Sequence, residues 1–216
     1  MAILSIGSGL IVVAGISAVS AMANGARLQY VATTPDPTGK PGTVIVNSEW
    51  VYPMPILTDG TNPTESDGWG SPRDGGGRAH KGNDVMYRRK RTFTKEEWKV
   101  KSAAEKDHNS RGYYVPVGTP LLCVKHGKIW SITKSSLGIR VMVDHGKPYA
   151  SVYQHGGELL RDWKKGDAIR AGELIMTCGY SLKDAESLRH LHFEFVVNGE
   201  KVDPAPYLAK MRKLGP

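Results

Sequence analysis

Only two cysteines and three phenylalanines occur in 216 residues. Cys123 and Cys178 are too few for a disulfide framework. They leave open one bridge or two buried thiols, and neither outcome settles the redox compartment. No repeat recurs at a fixed period, and the length leaves no room for a large multidomain enzyme, since one domain takes roughly 100–200 residues. The composition, 40% hydrophobic and 23% charged, is ordinary for a globular chain and excludes general disorder and collagen-like structure. Turn formers are plentiful, with 25 glycines and 13 prolines. Together with so little phenylalanine, they imply short strands joined by many turns, a mainly β body rather than a helical bundle.

Acidic charge is also in short supply. Lys and Arg number 29 against 21 Asp and Glu, a net +8, which suits an anionic partner such as nucleic acid, lipid or cell-wall polymer. A nucleic-acid role has nothing else behind it, because interleaved aromatic platforms and a reading motif are missing, so none is expected. Charge of either sign is absent from Ala2 to Ala23, a run long enough to span a bilayer as a helix of roughly 20 residues. Residues 1–25 therefore read as a secretory signal ending at Ala21-Met22-Ala23, an uncleaved membrane anchor, or a segment packed in a larger assembly. Residues 26–49, with Pro35, Pro37, Gly39, Pro41 and Gly42, read as a linker holding a short strand at Thr43–Val46. The main domain is expected over 50–210. Inside it, residues 88–111 carry nine basic and four acidic side chains. This basic insertion is either a solvated surface or a contact for an anionic wall polymer. Thr94 and Glu97 have capping-box spacing, which predicts one helix from about Lys95 to Asp107.

The densest chemical signal is His190-Leu191-His192-Phe193-Glu194, followed by Phe195-Val196-Val197. In a strand, alternate side chains share a face, so His190, His192 and Glu194 oppose Leu191, Phe193, Phe195 and Val197. One face is core and the other is polar, and two imidazoles at that spacing can begin a metal site. His80-Lys81-Gly82-Asn83-Asp84 supplies an imidazole and a carboxylate four apart, either a second pair of ligands or a turn capped by Asp84. Two histidines and one carboxylate would leave a tetrahedral metal one position for water, the mark of a hydrolytic site. Tyr153 and His155, on a probable hairpin arm, are expected on one face. His145, His126 and His108 are assigned to turns and the insertion, with His145 solvated.

The order GWGSPR (68–73), HKGND (80–84), YQH (153–155), HLHFE (190–194) and NGEKVDPAPYL (198–208) resembles the M23 family of zinc metallopeptidases, the LytM or lysostaphin type. The resemblance runs from about Trp50 to Leu208. It implies a compact antiparallel β domain with a zinc-bearing groove and one Zn²⁺ per chain. It also implies an endopeptidase that hydrolyses stems or cross-bridges of peptidoglycan with metal-activated water. By position, His80, Asp84 and His192 match the family's zinc ligands, and His155 and His190 match its two further catalytic histidines. Arg73 would be structural, Tyr153 would line the groove and Glu194 would orient a ligand. The implied setting is the bacterial envelope, by export or membrane anchoring, or a phage virion acting on the host wall. A non-catalytic wall-binding module is the alternative, but such members typically lack the ligands. Two departures stand out. Gln154 follows the tyrosine of the YxH segment, and Arg189 replaces a small residue or proline before HLH.

Overall fold

The computed structural model describes residues 50–184 and 186–215. The expectations for 1–25 and 26–49, including the strand at 43–46, lie outside the described residues. Among those residues the strands are β1 (Pro63–Asp67), β2 (Pro72–Arg73), β3 (Arg78–Ala79), β4 (Asn83–Arg88), β5 (Tyr113–Tyr114), β6 (Pro120–Leu122) and β7 (Gly127–Ser135). They continue as β8 (Gly138–Asp144), β9 (Tyr149–Leu159), β10 (Ala168–Ile169), β11 (Leu174–Cys178), β12 (Leu191–Val197) and β13 (Glu200–Val202). The helices are short: α1 (Lys95–Lys99), α2 (Ala103–Lys106) and α3 (Ala205–Leu208). The mainly β expectation is met.

One antiparallel sheet runs β1-β4-β12-β9-β8-β7-β10, with β11 bridging β6 and β9, β13 beside β12 and β5 beside β4; β2 and β3 pair separately. The alternation in β12 explains its central place. Leu191, Phe193 and Phe195 are fully buried, packing with Val141 and Val143 of β8 and Ile175 and Met176 of β11 in one core. Cys123 and Cys178 lie in that core as free thiols, both pushed up to about 12 by burial. β12 pairs with β4 on one side, His192 opposite Asp84, and with β9 on the other, His192 opposite Gln154. Strands from distant parts of the sequence therefore meet at one residue.

The insertion differs from its expectation. Thr94 and Glu97 do form a capping box, but Ser102 and Glu105 form a second one, and this starts a new helix where a single one was expected. Neither α1 nor α2 has a buried residue. Two tyrosine and histidine assignments also change. Tyr153 is fully buried and its hydroxyl accepts from Val124 N, so it belongs to the core and not to a groove wall. His145 is buried, not solvated. It bonds the His126 carbonyl and the Ser151 hydroxyl and lies edge-on to Trp50.

Candidate metal centre

His80 stands just before β4, Asp84 is its second residue, and His192 is the second residue of β12. The strand pairing places their ligand-type atoms in a triangle. His80 Nε2 lies 2.8 Å from His192 Nδ1, His192 Nδ1 lies 3.0 Å from Asp84 Oδ1, and His80 Nε2 lies 3.1 Å from Asp84 Oδ1. Gly82 is what permits the approach. A Cβ there would sit 2.6 Å from the Phe193 carbonyl oxygen and 2.7 Å from His192 Nε2, closer than real contacts allow. Its need for glycine is thus steric rather than conformational.

Each ring is oriented from behind. His80 Nδ1 is 2.9 Å from the Gly68 carbonyl, an acceptor only, so Nδ1 carries the proton and Nε2 presents a lone pair. His192 Nε2 is 3.3 Å from Glu194 Oε1, so its Nδ1 is the bare nitrogen. Two lone pairs and a carboxylate oxygen then converge within about hydrogen-bond distance of one another without a proton between them. Such an arrangement repels itself unless a cation lies at its centre. This donor set, two nitrogens and one oxygen, is the kind a zinc-sized divalent ion takes. The residues fit the metal.

The electrostatics agree. When His192 is protonated, its hydrogen bond to Asp84 and the neighbouring imidazoles outweigh the burial that opposes charge on that carboxyl and hold it at about 2. Arg73 pairs with Asp84 Oδ2 at 2.9 Å and also with Asp67, leaving Oδ1 to face the histidines. Burial likewise opposes charge on His192, yet its bonds to Asp84 and Glu194 raise its pKa, so the position favours positive charge. Glu194 is buried, and its Oε1 also accepts from Gln154 at 2.9 Å and Lys201 at 2.7 Å.

His155 and His190 flank the triangle, with ring centroids 4.7 Å apart. His190 precedes β12, donates from Nδ1 to the Leu188 carbonyl at 2.7 Å and brings Nε2 to 3.6 Å from Asp84 Oδ1. His155 donates from Nδ1 to the Leu137 carbonyl at 2.8 Å. Both Nε2 atoms are therefore bare. Burial lowers the pKa of each ring, that of His155 to about 4. The shared face expected for Tyr153 and His155 is not found. The backbone of His155 turns into the left-handed region at φ 61°, which takes its ring out of the strand alternation and into the site.

All five residues singled out in the sequence thus lie together. Sequence reasoning missed the Gly68, Leu137 and Leu188 carbonyls, which carry no side-chain signal, and Gln154 and Lys201, which reach the site only through Glu194. It also missed the contacts of Arg189, which were visible only as a departure from the family pattern.

Comparison with known proteins bears on the family. Residues 106–204 match the model of Peptidase family M23, which bears out the resemblance read in the sequence over that span. His155, His190 and His192 fall inside the matched span, whereas His80 and Asp84 precede it and join the others through β4. An uncharacterized metalloprotease of Haemophilus influenzae is 31% identical over 99 residues, 45% of this chain and 20% of that protein. The peptidoglycan DD-endopeptidase ShyC of Vibrio cholerae is 31% identical over 100 residues, 46% of this chain and 22% of that protein. The chain spans about a fifth of the length of these curated relatives. Among solved structures, a zinc-containing peptidase from Vibrio cholerae has a TM-score of 0.49 at 20% identity, covering 77% of this chain and 40% of that one. The catalytic domain of lysostaphin from Staphylococcus simulans has a TM-score of 0.46 at 21% identity, covering 70% and 94%.

Proposed function

We propose that this chain is a zinc-dependent endopeptidase of bacterial peptidoglycan. In this reading His80, Asp84 and His192 hold one zinc per chain, and His155 and His190 are the catalytic histidines. The observation that carries it is the meeting of two imidazole nitrogens and a carboxylate oxygen within 3.1 Å of one another, beside two further imidazoles whose Nδ1 atoms are engaged by backbone carbonyls. Bound zinc would polarise a scissile carbonyl and bring the ionisation of water toward neutral pH.

The chain's own residues supply the rest. Asp84, held at about 2, stays ionised at neutral pH, and Arg73 keeps one oxygen turned away from the centre. Burial keeps His155 and His190 neutral near pH 7, so either can accept a proton at Nε2 from an attacking water and return it to the leaving amine. The imidazolium formed after that transfer faces Asp84 and can stabilise negative charge developing on the carbonyl oxygen. Glu194, fixed by Gln154 and Lys201, holds His192 in the tautomer with a bare Nδ1.

Peptidoglycan is inferred as substrate from the named activity of the Vibrio cholerae relative, and the net charge of +8 suits an anionic envelope. The site of action is then the cell envelope, reached by export, by anchoring through residues 2–23, or from a virion acting on a host wall. Exposed basic side chains of the insertion, such as Arg88, Lys90 and Lys95, would contact an anionic wall polymer.

Zinc content and the release of new amino groups from purified walls test the reading. One wall should have glycine bridges and one direct cross-links. The intact chain should hold one zinc and cut at least one wall. His192→Ala should lose zinc and turnover together, whereas His190→Ala should keep zinc and lose turnover. Stoichiometric zinc with no cleavage of either wall would replace the enzyme with a wall-binding module.

A further inference from the structure

The segment that carries His190 and leads into β12 with His192 is fastened, just before the strand begins, to the far end of the basic insertion. Arg189 is buried, and its guanidinium donates to Asp107 Oδ2 at 2.9 Å, to the Asp107 carbonyl at 3.1 Å and to the Val115 carbonyl at 3.3 Å. Three acceptors around one planar fork fix it in a way a lysine could not. Next in sequence, the His108 ring stacks on Tyr180 at 3.5 Å between centroids and 11° between planes, while its Nδ1 bonds the Ser187 carbonyl at 2.8 Å.

The backbone makes the link to His190 direct. The carbonyl of Leu188 and the N–H of Arg189 belong to one peptide plane and point in opposite directions. The carbonyl receives His190 Nδ1 at 2.7 Å, and the N–H donates to the His108 carbonyl at 2.5 Å. The peptide that orients the His190 ring is thus held from its other side by the insertion. The backbone N–H of His190 bonds the Gly179 carbonyl at 3.1 Å, and the adjoining residue, Tyr180, is the one stacked on His108. Both hydrogen bonds that place His190 therefore end on segments pinned by Asp107 and His108.

We propose that Arg189 and Asp107 are positioning residues for His190, so that the 88–111 insertion is a working part of the site as well as a surface. This rests on the reading of His190 as a proton-transfer group. The chemistry explains why an arginine replaces a small residue at position 189. It ties the insertion to the catalytic strand one residue before the histidine that must be aimed. A misplacement of about 1 Å at such a group can cost on the order of 100-fold in rate.

The test uses the full chain loaded with zinc, with Asp107→Asn, Arg189→Gln and the double variant. Turnover of purified peptidoglycan, zinc content and the side-chain nitrogen spectrum of the histidines are measured well below the melting temperature. Each single variant should lower kcat by roughly tenfold or more, with KM and zinc stoichiometry unchanged, and the double variant should lose little beyond either one. The His190 signals should shift or broaden while those of His80 and His192 stay in place. A kcat equal to that of the parent, or a loss explained by raised KM or missing zinc, overturns the proposal. Asp107→Asn, at a partly exposed position, keeps the test open if Arg189→Gln does not fold. If the parent itself turns nothing over, the peptidase reading fails and the spectrum decides the clamp alone: an unmoved His190 in Asp107→Asn refutes it, and a displaced one supports it.

Discussion

The sheet and the insertion within it are held together by different physics. In the sheet, Phe193, Phe195, Tyr87, Tyr153 and their aliphatic neighbours are wholly buried, and backbone ladders run through every central strand. In the insertion, α1 and α2 bury nothing, and order comes from two capping boxes, ion pairs and cations over rings. Arg89 lies over Phe93, Trp98 and Tyr114, and Lys101 lies over Phe93. Such contacts are each weak and partly solvated, so the helices should open locally at a free energy well below that of the whole domain. What the contrast teaches is that rigidity here is supplied where it is used. The candidate metal triangle rests on β4, β12 and the turn that leads into β4, and among the described residues the part of the insertion locked to the site is its end at Asp107 and His108.

Breaking the sheet should have the largest effect. Phe193→Ala removes a ring packed edge-on against Tyr153 and should cost about 3–5 kcal/mol of global stability, read from the urea midpoint, with zinc binding lost as the triangle loosens. A loss under about 1 kcal/mol would mean that the sheet does not depend on this core. Acid should come next. Burial lowers His145 from 6.5 to about 4, so folding favours its neutral form. Its contribution is complete above pH 6.5 and is lost as pH falls toward 4, by roughly 3 kcal/mol in all. Denaturation of parent and His145→Gln at pH 7.5 and pH 4.5 checks this, because the variant should lack that share of the acid loss.

The insertion should respond more gently. Thr94→Ala and Ser102→Ala each remove a helix cap worth about 1 kcal/mol. Faster amide exchange should be confined to residues 95–106, with the global midpoint unmoved. A midpoint that fell by the same amount would show that insertion and sheet unfold as one unit. Glu97→Gln should do least. The Glu97 carboxyl is lowered to about 2, first by its hydrogen bond to Arg91 and then by the Thr94 backbone, but the pair lies at the surface, where solvent and salt screen it. The melting temperature in physiological salt should stay within error.

Much of the site was legible because metal chemistry uses few residue types. His80, Asp84 and His192 announce themselves by identity and spacing, and the alternation through Leu191, Phe193 and Phe195 identifies the buried face. The parts that were not legible depend on single backbone angles and distant pairings. The positive φ of His155 separates it from Tyr153, which period-two reasoning had placed on the same face. His145 looks like a turn residue until Ser151 and the His126 carbonyl are seen to enclose it. Ser102 was overlooked as a second helix start because the charge pattern runs continuously through it. Arg189 could be read only as an exception, since its partner Asp107 lies 82 residues earlier.

The pairing of β4 with β12 also bears on how the protein is made. His80 and His192 are 112 residues apart in sequence yet adjacent in space, and β12 comes near the end of the chain. During synthesis the first two donors emerge long before the third exists, and no product of translation that stops short of residue 192 carries all three. The strand that completes the site also fills the centre of the sheet. A chain stalled before β12 therefore lacks a donor of the candidate centre and the middle strand of the sheet at once.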